Sequence, residues 1–161
     1  MKWSENTELF KKELTDGFQW QELPATFFKL HGFSIEMPPM AFRENISDAN
    51  KFFETKDLIV NSKRIEIKSR KERFTSPNTF PYDTIIIDTV KKFTGRSEIP
   101  FAYIMISRIT GSMLWIDTSN RDKWKVERKF DNTRKYWDNF YLTSKENLLP
   151  LDSLVYILNG E

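Results

Sequence analysis

The chain has 161 residues and a mass of 19.2 kDa, enough for one domain with a sizeable core. Its 25 Lys and Arg face 23 Asp and Glu, so the net charge is +2, which by itself implies no partner. Cysteine is absent and His31 is the single histidine. Disulfide scaffolds, Cys2His2 zinc sites, thiol nucleophiles and CxxC redox pairs are therefore excluded, and any chemistry must come from carboxylates, Lys, Arg, hydroxyls and a hard metal ion.

No run of about 18 apolar residues occurs, so no membrane span is expected. Met1-Lys2-Trp3-Ser4-Glu5 has no apolar stretch behind it, so no signal peptide is expected and the expected location is cytoplasmic.

In chain order, Leu9, Phe10, Leu14 and Phe18 recur at helical spacing after an Asn6 or Thr7 cap. Gly17 weakens that helix, and Pro24 predicts a kink or restart. Residues 25–30 then run to Gly32, placed as the glycine that ends the helix. Residues 33–37 alternate as a strand, ended by Pro38-Pro39. Residues 40–56 read as loop with a short helix over 48–53. Residues 57–61 and 64–70 alternate around Ser62-Lys63 and predict a hairpin. Residues 71–82 look irregular. Residues 83–93 are open: Ile85-Ile86-Ile87 favours a strand, while Asp83 as a cap, Lys91, Lys92 and Gly95 favour a helix. Strands follow over 101–107 and 112–118, joined at Thr110-Gly111. Residues 121–141 are basic and aromatic, and the apolar stretch 148–158 is expected to pack on the core. The sum is one α/β domain over residues 1–161.

The hairpin carries the most chemistry. With a turn at Ser62-Lys63, Val60 faces Ile65, Ile59 faces Glu66 and Asp57 faces Lys68. Side chains alternate across a strand, so Leu58, Val60, Ile65 and Ile67 share an apolar face. Asp57, Glu66 and Lys68 share the other. Two carboxylates held this close repel unless a cation sits between them. An oxygen-only ligand pair suits Mg2+, with Mn2+ as a substitute. Such an ion lowers the pKa of a bound water and stabilises a phosphoryl oxygen, and a neighbouring lysine orients the nucleophile or offsets negative charge. The same pattern also reads as an ordinary surface hairpin with cross-strand Asp–Lys or Glu–Lys pairs, because an aspartate followed by Glu-x-Lys recurs by chance.

Asp57 followed by Glu66-Ile67-Lys68, inside an apolar hairpin and after an N-terminal helix, resembles the PD-(D/E)XK nuclease superfamily. Ile65-Glu66-Ile67-Lys68-Ser69-Arg70 is similar to its third-strand motif. Gln21-Glu22, with Leu30 and Gly32-Phe33, resembles its acidic helix and the step into its first strand. The resemblance implies a restriction-endonuclease-like core, a central mixed β-sheet flanked by helices. It implies Asp57, Glu66 and Lys68 as catalytic residues, with Asp57, Glu66, the Ile67 carbonyl and Glu22 around the metal. Glu13 and Glu8 are fallbacks for Glu22. The implied activity is metal-dependent phosphodiester hydrolysis by metal-activated water, on DNA in preference to RNA and as an endonuclease rather than an exonuclease. The implied setting is a phage, mobile-element or repair nuclease, and a homodimer is compatible with it. The alternative is a non-catalytic module on the same fold, binding nucleic acid or protein.

Lys63, Arg64, Arg70, Lys71 and Arg73 crowd the proposed site, as contact with a phosphate backbone requires, although lysines also blunt strand edges. Lys123, Lys125, Arg128 and Lys129 form a second basic group, interleaved with Trp124, Phe130, Tyr136 and Trp137. Basic residues of this kind track a backbone while aromatics stack on bases; the aromatics read equally as core under long side chains. His31 reads as structural or exposed. Tyr82 is a candidate to approach the cleft. Gly95-Arg96-Ser97 lacks the upstream glycine and the lysine of a phosphate loop.

Overall fold

The computed structural model describes residues 20–36 and 57–160. The expected helix over 7–18, the fallback carboxylates Glu8 and Glu13, and the mixed segment 40–56 lie outside them. Helix α1 (20–30) runs unbroken through Pro24, so the expected restart is not found. Proline there forfeits the bond that its missing N–H would make to the Trp20 carbonyl. The helix does end at Gly32, which takes φ +84°. The amides of Gly32 and Phe33 bond back to the carbonyls of Lys29 and Phe28. The Phe28 and Phe33 rings, 5.9 Å apart, make the apolar contact that accompanies such a left-handed stop.

Strands β1 (Ile35–Glu36), β2 (Asp57–Val60) and β3 (Lys63–Arg70) form an antiparallel meander. The tight turn is Asn61-Ser62, one position earlier than Ser62-Lys63. Both turn residues hold positive φ, +48° and +68°, as a two-residue hairpin requires. Asparagine adopts that region more readily than most residues. Asn61 is also held from outside, its amide donating to Ser34 O and its Oδ1 accepting from Ser34 N. The turn keeps its length, so the two faces are as read from the alternation, but the register moves. Asp57 lies opposite Glu66 and not Lys68, and Leu58 lies opposite Ile65.

Segment 83–93 is strand and helix in succession: β4 (Thr84–Thr89), then α2 (Val90–Thr94). The β-branched isoleucines make the strand. Thr89 and not Asp83 caps the helix, its Oγ1 accepting from Lys92 N at 3.1 Å. Strand β5 (Ala102–Ser107) runs parallel to β3, and β6 (Met113–Asp117) follows antiparallel. The basic, aromatic segment is a long hairpin, β7 (Lys125–Asp131) and β8 (Tyr136–Ser144). Strand β9 (Leu149–Pro150) and helix α3 (Leu151–Leu158) complete the described chain. The architecture is α/β: a mixed six-stranded sheet, order β1-β2-β3-β5-β6-β9, and a second sheet, order β4-β8-β7, with helices. No helix among the described residues is long and apolar enough to cross a membrane.

The six-stranded sheet buries both faces. On one, Leu58, Val60, Ile65, Ile67, Ile104 and Trp115 pack against Ala25 and Phe28 of α1 and Leu151, Leu154 and Leu158 of α3. The apolar face of the hairpin is therefore core, and each of its fully buried aliphatic side chains contributes about 1.5–3 kcal/mol of transfer free energy. On the other face, Tyr103, Met105, Leu114 and Ile116 pack against Ile85, Ile87, Phe93 and Trp124. Glu66 is in register with Tyr103 and Lys68 with Met105. The polar face of the hairpin thus lies beneath β4 and α2.

Candidate functional site

Asp57 and Glu66 face each other across β2 and β3, and both are almost fully buried. Lys68, two residues on along β3, places Nζ 3.5 Å from Glu66 Oε1. The structure therefore brings Asp57, Glu66 and Lys68 together on one face. The Ile67 side chain is buried on the opposite face, so only its main-chain carbonyl is open to a role here.

A second set of groups arrives from β4 and α2. Asp88, buried at the end of β4, has Oδ1 3.5 Å from Lys68 Nζ. Its Oδ2 accepts from Tyr103 Oη at 2.9 Å and pairs with Arg96 at 3.4 Å. Lys92 Nζ donates to Glu66 Oε1 at 3.0 Å. Arg96 Nη2 lies 3.1 Å from Glu66 Oε2 and its Nη1 3.9 Å from Asp57 Oδ2. Arg64 Nε lies 3.2 Å from Asp57 Oδ2. Among the described residues, then, four cations (Arg64, Lys68, Lys92, Arg96) face three carboxyl groups.

These surroundings divide the two facing acids. Burial, then the hydrogen bond that its protonated form donates to Glu66 and charge repulsion from Glu66, push the Asp57 carboxyl up to about 9, against the pull of Arg96 and Arg64. Burial would raise Glu66 too, but Lys92, the hydrogen bond from Asp57, Lys68 and Arg96 hold it well below the usual carboxylate range. These opposite shifts leave the negative charge of the pair on Glu66 and its proton on Asp57. Burial, then Lys68, bring Lys92 down to about 8 despite Glu66 and Asp88. Burial, Asp88 and Glu66 keep Tyr103 protonated, as its bond to Asp88 requires. Burial opposes the charge of Arg96, but Glu66 foremost makes it a firmer cation than a free arginine.

The donor set can be tested for a divalent ion. Asp57 Oδ1 is buried and receives no hydrogen bond or ion pair from a described residue. A cation between Asp57 and Glu66 would take the place of their proton. Two carboxylates suffice for Mg2+, which retains waters and takes substrate oxygens in its remaining positions. No group of three or more His, Asp or Glu converges as a full ligand cage among the described residues. The pair fits an ion shared with substrate, and it does not fit a closed structural site.

Glu22 is exposed on α1, while its neighbour Gln21 is buried and donates from Nε2 to the Asp57 carbonyl at 3.0 Å. The helix reaches the site through an amide, one residue away from the expected carboxylate. Arg64 joins the cluster. Arg70 turns inward, and its guanidinium donates to the Ile86 carbonyl. Lys63, Lys71, Arg73, Lys123, Lys125 and Arg128 are exposed, and Lys129 is half-buried. Lys63 sits 4.9 Å over the Phe101 ring. His31 is exposed and bonded to the Phe27 carbonyl of its own helix. An open depression of about 280 Å³, lined by Arg70, Glu72, Tyr82, Ile86, Lys129 and Leu142 among others, contains Tyr82 but does not touch the facing acids.

Asp88, Lys92, Arg96, Tyr103 and Gln21 are not among the site residues expected from the sequence. One signal was present: Asp88, Lys92 and Arg96 recur every four residues, the spacing of one helix face. The strand-or-helix ambiguity of 83–93 concealed it. Comparison with protein-family models, with curated proteins and with solved structures finds no match for this chain.

Proposed function

We propose that the protein is a divalent-cation-dependent phosphodiesterase that cuts nucleic acid internally, DNA in preference to RNA, on a restriction-endonuclease-like core. The observation that carries this reading is Asp57 directly opposite Glu66, with Lys68 on the same face of a hairpin whose other face packs into the core. The order of elements supports it as well. A helix precedes a three-stranded meander, the motif lies on the third strand, and after β4 and the short helix α2 the next strand of the same sheet runs parallel to the motif strand.

When bound, Mg2+ or Mn2+ supplies an acidified water and a positive charge for the phosphoryl oxygens. Asp57, Glu66 and the Ile67 carbonyl are the groups that would hold it. Lys92 and Arg96 keep Glu66 ionised and ready to serve as a ligand. Lys68, held between Glu66 and Asp88, places an ammonium where it can orient the attacking group and offset the charge that grows on the phosphate. Asp88 in turn is fixed by Tyr103 and Arg96. The cationic surplus of the cluster favours an anionic substrate.

The test is cleavage of single-stranded, duplex, circular and branched DNA, and of RNA, in Mg2+, Mn2+ or EDTA. The wild type cuts with a cation and not in EDTA, and circular DNA is opened. Asp57→Asn and Lys68→Ala each lower the rate by about 100-fold or more. If both variants cut like the wild type, the assignment fails.

One observation favours a second reading, a non-catalytic module that binds anions on the same fold. The carboxylates already have cations of their own, and their side chains are only 1% exposed, beneath Lys68, Lys92 and Arg64. On that reading binding is salt-sensitive, persists in EDTA and is never followed by cleavage.

A further inference from the structure

We infer that one face of the β7–β8 hairpin is a stacking platform for a single strand of nucleic acid. The partner's nature rests on the nucleic-acid reading above; the platform itself is tested by binding, without cleavage.

Val126 pairs with Tyr141, Arg128 with Asn139, and Phe130 with Trp137, so these six side chains share one face. The other face carries Glu127, Asp131 and Asp138, which are all the carboxylates of the two strands. The first face therefore has no carboxylate and one guanidinium. It is also apolar where it meets solvent, with Trp137 58%, Val126 56% and Phe130 43% exposed. Trp137 is the centre of the patch. The Arg128 guanidinium lies 5.6 Å from its ring, and the Phe130 ring 5.8 Å away at a steep angle.

An exposed indole beside a cation, on a ribbon face without a carboxylate, matches an unstacked base attached to a phosphate. A duplex offers base edges and no free ring faces, so the single strand is the better fit. The lysines do not share this face. Lys125 and Lys129 project from the opposite side, where Lys129 pairs with Glu127 at 3.9 Å and lies across from Asp138. The platform also leads toward the proposed site. Tyr141 pairs with Asp88 across β8 and β4, so the face that delivers Asp88 to the acid cluster continues outward as the aromatic face of the hairpin.

The experiment is fluorescence anisotropy of labelled oligothymidylate of about 20 nucleotides, against a duplex of the same length, in EDTA. The wild type binds the single strand more tightly than the duplex. The double variant Phe130→Ala/Trp137→Ala weakens single-strand binding by about tenfold or more. Asn139→Glu, which adds one carboxylate to the platform, weakens it as well. Lys125→Ala/Lys129→Ala weakens it less than either. Circular dichroism checks folding, and the exposed single change at Asn139 decides the matter if the double aromatic variant does not fold. Three results would overturn the inference: no preference for the single strand, unchanged binding by the aromatic and Asn139 variants, or a greater loss from the lysine variant. A fourth would do so by another route: if Trp137→Ala converts a sedimenting dimer to a monomer and leaves binding intact, the face is a self-association surface. If binding follows the platform but no substrate is ever cut, only the catalytic reading fails. If cutting is seen and the hairpin variants bind normally, only the platform fails.

Discussion

Asp57 and Glu66 are chemically near-identical acids on paired strands, yet one holds a proton to about 9 and the other is held ionised. This difference has a measurable consequence. An unfolded Asp releases its proton near pH 3.9, so above that the native state binds a proton that the unfolded chain has lost. The stability due to Asp57 is therefore full below about pH 4 and declines as pH rises toward 9. Glu66, shifted the opposite way, loses its contribution only as pH falls below the ordinary carboxylate range. Lys92, brought down to about 8, has the reverse slope and adds stability with pH only above that value. Between pH 5 and 8 the Asp57 slope is not overlaid by those of Glu66 or Lys92. Thermal unfolding in EDTA should show the wild-type midpoint falling across that window relative to Asp57→Asn, whose amide cannot titrate; parallel curves would refute the shared proton. Mg2+ or Mn2+ should raise the wild-type midpoint more at pH 8 than at pH 6, because less proton has to be displaced, and should do little for Asp57→Asn. Asp88 makes a separate prediction. Removing it leaves Lys68, Arg96 and the Tyr103 hydroxyl without a shared acceptor, so Asp88→Ala should cost about 3 kcal/mol in urea unfolding. Tyr103→Phe removes one hydrogen bond and should cost about 1 kcal/mol.

The decisive element is the β2–β3 hairpin. Its two faces were legible in the sequence, because alternation has a period of two and the apolar set Leu58, Val60, Ile65 and Ile67 has no polar interruption on its own face. Its register was not. The turn is chosen by which residues accept positive φ, and Asn61 is further held by Ser34, 27 positions away in the chain. A shift of the turn by one position put Asp57 opposite Glu66, a closer association of the acids than the expected one. Ser62 holds φ +68° at a steric cost that glycine does not bear. Ser62→Gly should therefore stabilise the protein by roughly 0.5–1 kcal/mol in chemical denaturation. Asn61→Ala should destabilise it by about 1–2 kcal/mol, through the lost bond to Ser34 and the left-handed backbone. The opposite pair of signs would mean that the turn is built differently.

Across the whole molecule, the acid cluster is a joint between two sheets. Asp57, Glu66 and Lys68 belong to the six-stranded sheet, and Asp88, Lys92 and Arg96 come from the β4–α2 segment laid over it. Trp115 lies in the core on one side of the main sheet and Trp124 in the core on the other. A joint of buried ion pairs cannot open without stranding charge, so both sides should unfold together. Single variants Trp115→Phe and Trp124→Phe, followed by fluorescence, should each give a transition that coincides with its own far-UV circular dichroism. Separate transitions in either variant would show that the sheets melt independently.

Composition and local pattern determined which chemistry was available and where its first half lay. Without cysteine and with one histidine, only carboxylates, cations and hydroxyls remained, and a hairpin of period two set Asp57, Glu66 and Lys68 on one side. The tertiary structure alone decided that this side is buried, that Asp88, Lys92, Arg96 and Tyr103 close over it, and that Gln21 and not Glu22 reaches it from the helix. The reason is one of range. Alternation and capping are set by neighbours a few residues apart, whereas burial, proton sharing and ion pairing depend on the parallel docking of β3 on β5 and the fold-over of β4 and α2, contacts between residues 20 or more positions apart.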